Sequence, residues 1–141
     1  MSKSLKYLIF VGVRNPEAAQ VAVEKAIDMS KTKGKVYYAK CDTGDMESVR
    51  SFAIKVQQQF KEVHVLINNA GVMSTPYKET KDGFESQMAI NYIGHFLLTH
   101  LIFPQLKAGA LNNDGKNVRI VNVSSCVHRI GGIDYEDFHC K

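Results

Sequence analysis

The sequence predicts an α/β fold, a parallel sheet with helices on its faces, and three observations carry that prediction. Short apolar runs alternate with amphipathic segments along nearly all of the 141 residues. The first three apolar runs end at equal intervals: Arg14 to Asp42 is 28 residues, and Asp42 to Ala70 is another 28. That is the length of one strand–helix crossover unit, and chained units of this kind wind a parallel sheet. Ligands of such sheets bind at the C-terminal strand ends, and Arg14, Asp42, Asn69, Ala70, Gly71 and Ser125 all fall there.

The elements follow in order. Tyr7–Val13 is a continuous apolar run, as expected of a strand covered on both faces. Asn15 followed by Pro16 opens a helix, because Asn caps free N–H groups and Pro suits the first helical position. Ala19, Ala22, Val23, Ala26 and Ile27 then recur at helical spacing through Lys31, and Gly34 punctuates the end. Val36–Cys41 is the second strand. Asp45 caps a second helix running through Phe60, with Val49, Phe52, Ala53, Val56 and Phe60 as its buried stripe. Val63–Ile67 is the third strand. A long helix is expected from Phe84 to Leu106, apolar nearly all round between Ile90 and Phe103 and so buried on more than one side. Gly109–Gly115 reads as a turn-rich loop, Val118–Ser125 as the fourth strand, and Gly131-Gly132 as the start of an acidic tail.

Composition narrows the function classes. Hydrophobic residues make up 45% and charged residues 23%, with a net charge of +4 spread along the chain. Nucleic-acid binders cluster their cations on one face, so no nucleic-acid partner is expected, whereas an anionic small molecule fits. Cys41, Cys126 and Cys140 are odd in number and unpaired in spacing, which points to a reducing compartment, the cytoplasm or the cytosolic face of a membrane. The five histidines show no metal-ligand spacing, so no metal site is expected. Lys3 and Lys6 before the apolar run imitate a signal peptide, but the run is short and Arg14 stands where small residues should prepare cleavage. No stretch approaches the roughly 20 apolar residues of a membrane span.

Three motifs then stand in register: Asn68-Asn-Ala-Gly71 after a strand, Asn91-Tyr-Ile-Gly-His-Phe-Leu-Leu-Thr99 in the long helix, and Ile120-Val-Asn-Val-Ser-Ser125 closing the next strand. In order and spacing they resemble the short-chain dehydrogenase/reductase family. Thr80-Lys-Asp-Gly-Phe-Glu85 further resembles its retinol-dehydrogenase-like branch, including the X-linked dehydrogenase/reductase group. The resemblance covers residues 7 to 138 and implies a Rossmann-type doubly wound parallel sheet.

It also implies hydride transfer between a nicotinamide cofactor and a small lipophilic alcohol or carbonyl, a retinoid, steroid or polyprenoid. Carried over by position, Ser125 would hydrogen-bond the reacting oxygen. Asn91 would hold a catalytic lysine through water and locally open its helix. Asn69, Ala70 and Gly71 would approach the adenosine ribose, and Asp42 the adenine. Arg14 stands where an NAD enzyme places an acidic residue; a cation there favours the 2′-phosphate of NADP over NAD. Helices placed like 84–106 build dimer interfaces in much of the family, so a homodimer is implied. Relatives of this branch often carry an N-terminal membrane anchor, which this chain does not show.

Two family elements are missing. None of the ten glycines has the spacing of the glycine-rich turn that cradles a pyrophosphate. No Tyr-x-x-x-Lys pair follows Ser125: position 139 is His where Tyr135 would need Lys. Tyr77-Lys-Glu-Thr-Lys81 has the letters but precedes Asn91 in a loop, and is a decoy. The expectation is therefore an incomplete, truncated domain: residues 1–141 as part of an NAD(P)-binding unit, without the first strand or the catalytic helix and inactive alone. In the doubly wound order the first strand lies between the second and fourth. Without it, Tyr7–Val13 and Val63–Ile67 either pair directly in a smaller sheet or belong to a piece of a longer chain, and the latter is favoured. A non-catalytic relative that binds partners through the apolar helix is the alternative. A receiver-like module would need acidic residues where Arg14 stands. The substrate is not legible, since the family's specificity loops follow the missing Tyr–Lys helix.

Overall fold

The computed structural model describes residues 8–30, 35–112, 118–130 and 132–137, with the side chains of 26–30 left aside. The chain divides into two compact units, Met1–Asp42 and Thr43–Lys141. Tyr7, Lys31, Gly34, residues 113–115, Gly131 and Cys140 lie outside the described residues, as do the side chains of Ala26 and Ile27.

The first unit is a strand–helix–strand crossover. Strand β1 (Leu8–Val13) leads through helix α1 (Pro16–Ser30) to strand β2 (Lys35–Lys40). The two strands pair in parallel, Leu8 opposite Lys35 and Val13 opposite Lys40. Asn15 caps α1 as its sequence suggests: its Oδ1 accepts from the Ala18 N–H at 3.2 Å and its carbonyl from Ala19 at 3.1 Å. Helix α1 packs on β2. One expectation fails here. Strand β1 is not covered on both faces: Leu8 and Ile9 are each 51% exposed. Among the described residues it pairs only with β2, and one helix cannot shield two faces.

The second unit holds the core. Helix α2 (Met46–Gln59) starts at Asp45, whose Oδ1 accepts from Glu47 and Ser48 N–H. Val49, Phe52, Ala53 and Val56 are buried as the helical period requires, joined by Met46, while Phe60 stays partly exposed as the C-cap. Strand β3 (Val65–Asn68) pairs in parallel with β4 (Arg119–Asn122), Val65 opposite Arg119 and Asn68 opposite Asn122. Both strands are shorter than the apolar runs suggested. Strand β4 stops at Asn122, because β3 ends opposite it and the last ladder bond is Val123 N–H to the Asn68 carbonyl at 3.0 Å.

Between the strands lie helix α3 (Ser86–Met88), a π-helical turn (Ala89–Ile93) and helix α4 (Gly94–Asn112). Two corrections apply. The helix runs past Leu106 to Asn112, absorbing the start of the expected loop. At Gly109 an added Cβ would stand 2.6 Å from the Val63 carbonyl oxygen, so this glycine serves close packing rather than a turn. Nor is α4 buried all round. Gly94, Leu98, Ile102, Leu106 and Gly109 form one buried face, while Phe96 and Phe103 are 65% and 54% exposed. Helix α2 and strand β3 cover a single side.

Candidate functional site

The strand-end loops of the second unit are fixed by a chain of caps. The loop before α3 is anchored on α2: Lys81 Nζ lies 2.7 Å from Asp45 Oδ1, and Asp82 Oδ2 accepts the Met46 N–H at 3.0 Å. The hydrogen-bonded Lys81 ammonium holds the Asp45 carboxyl below its ordinary range and is itself raised. Lys81 of the decoy pair is thus engaged with Asp45, and Tyr77 is 49% exposed. Glu85 then caps the helix that follows. Its Oε1 accepts Gln87 N–H and its Oε2 accepts Met88 N–H, each at 2.8 Å. Burial pulls this carboxyl upward, but those bonds and Ser86 outweigh it, so its pKa is lowered.

The capped helix delivers Asn91 from the middle of the π-turn. Its Oδ1 accepts the Val72 N–H and its Nδ2 donates to the Val72 carbonyl, both at 2.9 Å. Gly71 backs onto the same amide, with room for no more than a close Cβ at 3.4 Å from Oδ1. Asn91 therefore meets the loop that contains Asn69, Ala70 and Gly71, all of them exposed. The π-turn ends on Gly94, where a Cβ would fall 2.1 Å from the Thr43 carbonyl oxygen. The next residue, His95, is pushed down in pKa by burial, against a hydrogen bond to the Asn91 backbone.

Ser125 follows β4, the neighbour of β3, and opens a short 3₁₀ turn (Cys126–Arg129). Its Oγ accepts the Val127 N–H at 3.3 Å and its carbonyl meets the His128 ring. Among the described residues its hydrogen bonds stay within its own turn, and none reaches Asn91. In the first unit, Arg14 follows β1 exposed and Asp42 follows β2 partly covered. The Cys41 N–H donates to the Val13 carbonyl at 2.8 Å, so both residues stand at the C-terminal edge of one parallel pair. Cys41 itself is buried, and burial with the Asp42 charge pushes its thiol up to about 11.

Three polar residues stand in the sequence motifs without a role there: Asn68, Thr99 and Asn122. Asn68 is buried, and its Nδ2 donates to Thr99 Oγ1 at 3.0 Å and Asn122 Oδ1 at 2.8 Å. A polar residue closing an apolar strand and a threonine inside an apolar helix were the available signals. Among the described residues no group of three His, Cys, Asp or Glu side chains could hold a metal, and no helix is long and apolar enough to cross a membrane.

Comparison with known proteins places this geometry. The family described as short chain dehydrogenase matches residues 3–136. The chain belongs to the short-chain dehydrogenase family. Human retinol dehydrogenase 11 is 41% identical over 129 residues, 92% of this chain and 38% of that protein. Human polyprenol dehydrogenase is 38% identical over 131 residues, 93% of this chain and 38% of its own length. A crystal structure of a putative uncharacterized protein from Mycobacterium paratuberculosis is 36% identical with a TM-score of 0.71, covering 92% of this chain and 41% of that one. The chain thus spans less than half the length of these dehydrogenases, and two parallel strand pairs are the part of their Rossmann-type fold present here. Relatives that are dehydrogenases do not favour the non-catalytic alternative.

Proposed function

We propose that this chain, as a partial NAD(P)-binding domain, carries nucleotide-binding and carbonyl-binding residues of an NADP-linked short-chain dehydrogenase. The reaction is hydride transfer on a small lipophilic alcohol or carbonyl of retinoid, steroid or polyprenoid type. The observation that carries the reading is the Asn91 grip on Val72, which presents an exposed loop of small residues at a parallel strand end. A nucleotide approaches backbone most closely where side chains are small, and Asn69-Ala-Gly71 fits that requirement against the adenosine ribose. Asp42 is assigned to the adenine. Arg14, exposed just past β1, fits the 2′-phosphate as a charge-assisted donor. Asn91 is assigned to holding a lysine through water.

The cofactor, when bound, supplies the hydride chemistry. Ser125 hydrogen-bonds the reacting oxygen and stabilises charge there; its Oγ accepts the Val127 N–H, and among the described residues its hydroxyl hydrogen has no acceptor. None of the assigned residues is the Tyr–Lys proton donor of the family, so the chain alone does not turn over. Self-association belongs to the same reading, through either α4, where Phe96 and Phe103 are exposed, or the open face of β3–β4, where Val65 and Ile67 are.

Calorimetric titration of the full chain tests the assignment. NADP+ should bind more tightly than NAD+, and Arg14→Ala should weaken NADP+ about tenfold or more, as loss of a charged hydrogen bond does, while sparing NAD+. Equal binding of both nucleotides in wild type and variant overturns the NADP assignment. Turnover of retinal with NADPH by the chain alone overturns the inactivity.

A further inference from the structure

We propose that Asn68, Thr99 and Asn122 are positioning residues, a buried hydrogen-bonded cluster that sets the Gly71–Val72 loop through the helix carrying Asn91. The proposal rests on the nucleotide reading of that loop and adds residues which that reading leaves unused.

Asn68 is the last residue of β3 and is 4% exposed. Both hydrogens of its amide are spent on different elements, one on Thr99 Oγ1 in α4 and one on Asn122 Oδ1 in β4. Asn122 is its register partner, so the two side chains leave the same face of the parallel pair. The Thr99 hydroxyl in turn donates to the His95 carbonyl at 2.7 Å, leaving a lone pair for Asn68. Each link therefore has one polarity. A single amide ties three elements at the edge where the site loops emerge.

The links close a ring. Val72 lies four residues beyond Asn68, Asn91 grips Val72, and Thr99 lies eight residues beyond Asn91 in the same helical run, roughly two turns. Thr99 then returns to Asn68. Rotating α4 against β3 breaks either the Thr99 bond or the Asn91 pair, so the helix holds the strand end and the loop at two fixed points. Stability alone does not account for the cluster. Asn68 Oδ1 is fully buried with no partner among the described residues, a burden that three apolar side chains would not carry. Buried polar groups of this kind are retained in some proteins because they specify one arrangement.

Amide hydrogen exchange on the full chain tests the proposal, with Val72 N–H as the reporter and the α2 amides as the measure of global stability. Thr99→Val is isosteric but removes the acceptor. It should speed Val72 exchange roughly tenfold beyond any change in α2, and Thr99→Ser should restore the wild-type ratio. Val72 exchange that stays at the wild-type rate, or moves only in parallel with α2, overturns the proposal, as does failure of Thr99→Ser to restore it. If Thr99→Val does not fold, Asn122→Ala removes the other acceptor and is read on the same ratio. Titration with NADP+ separates the two readings: selective Val72 exchange in a chain that does not bind nucleotide supports the coupling and overturns only the nucleotide site.

Discussion

Asn91 grips Val72 at both backbone groups, accepting its N–H and donating to its carbonyl at 2.9 Å each. One side-chain amide thus replaces the strand partner that an extended residue would otherwise need. Asn91→Ala removes both bonds and should cost about 1–2 kcal/mol of stability. The damage should centre on the exposed loop, seen as cleavage near Gly71–Met73 by limited proteolysis while the α2–α4 core stays protected. Asn91→Asp keeps the acceptor and loses the donor, and should fall between the two.

The π-turn that aims Asn91 was implied by resemblance and not by periodicity, because an apolar helix reads the same whether one turn is wound by four residues or five. The capping signals at Asn15 and Asp45 were legible, since caps are local chemistry. Burial was not. The run at Tyr7–Val13 reads as a covered strand, yet Leu8 and Ile9 are half exposed, because covering depends on partners remote in sequence. Gly109 misled for a related reason: the residue that breaks a helix in a loop permits close packing when a carbonyl lies opposite. The Asn68–Thr99–Asn122 cluster spans 54 residues of chain, and local pattern marks each polar residue singly without showing that the three meet.

The two glycines of α4, Gly94 and Gly109, should tolerate no side chain. A Cβ would stand 2.1 Å from the Thr43 carbonyl oxygen at Gly94 and 2.6 Å from that of Val63 at Gly109. Both obstacles are backbone and cannot swing aside. Gly94→Ala should destabilise by about 3 kcal/mol or more and Gly109→Ala by about 1–3 kcal/mol, whereas Gly132→Ala, with open space around it, should change stability by less than about 0.5 kcal/mol. Urea denaturation orders the three. An innocuous Gly94→Ala would show that α4 does not pack so closely on Thr43.

Acid should weaken the fold in two separate windows. His95 is depressed below its ordinary value of 6.5 by burial, so the unfolded chain takes up the proton first. Its contribution is complete above 6.5 and is lost as pH falls toward the folded value. Glu85 is lowered from 4.5, its capping bonds outweighing burial, and Asp45 is lowered from 3.8, chiefly by the hydrogen bond from Lys81. Their contributions are present above those values and are lost as pH falls through the folded ones. Denaturation midpoints across pH should therefore fall in two steps. His95→Gln should flatten the upper step and Glu85→Gln the lower; a single step unchanged by either variant would contradict both assignments.

The face of β3–β4 that turns away from α4 should drive self-association. Leu66 and Asn68 point inward, whereas Val65 and Ile67 are 51% and 60% exposed. Across the register Ile67 faces Val121, 43% exposed, and Val65 faces Arg119, while Val123, just past the end of β4, is 57% exposed. Four β-branched side chains thus form one open apolar patch on a parallel pair, a sheet type ordinarily covered on both faces. Such patches bind other surfaces or aggregate, the more so beside an unpaired strand edge. The double variant Ile67→Thr with Val121→Thr keeps strand propensity while lowering apolarity. Light scattering should show wild-type mass rising above 15.8 kDa with concentration, and the double variant should hold near that value. Phe103→Ser on α4 is the rival: if it alone lowers the mass, association runs through the helix, and the open sheet face is not what brings copies together.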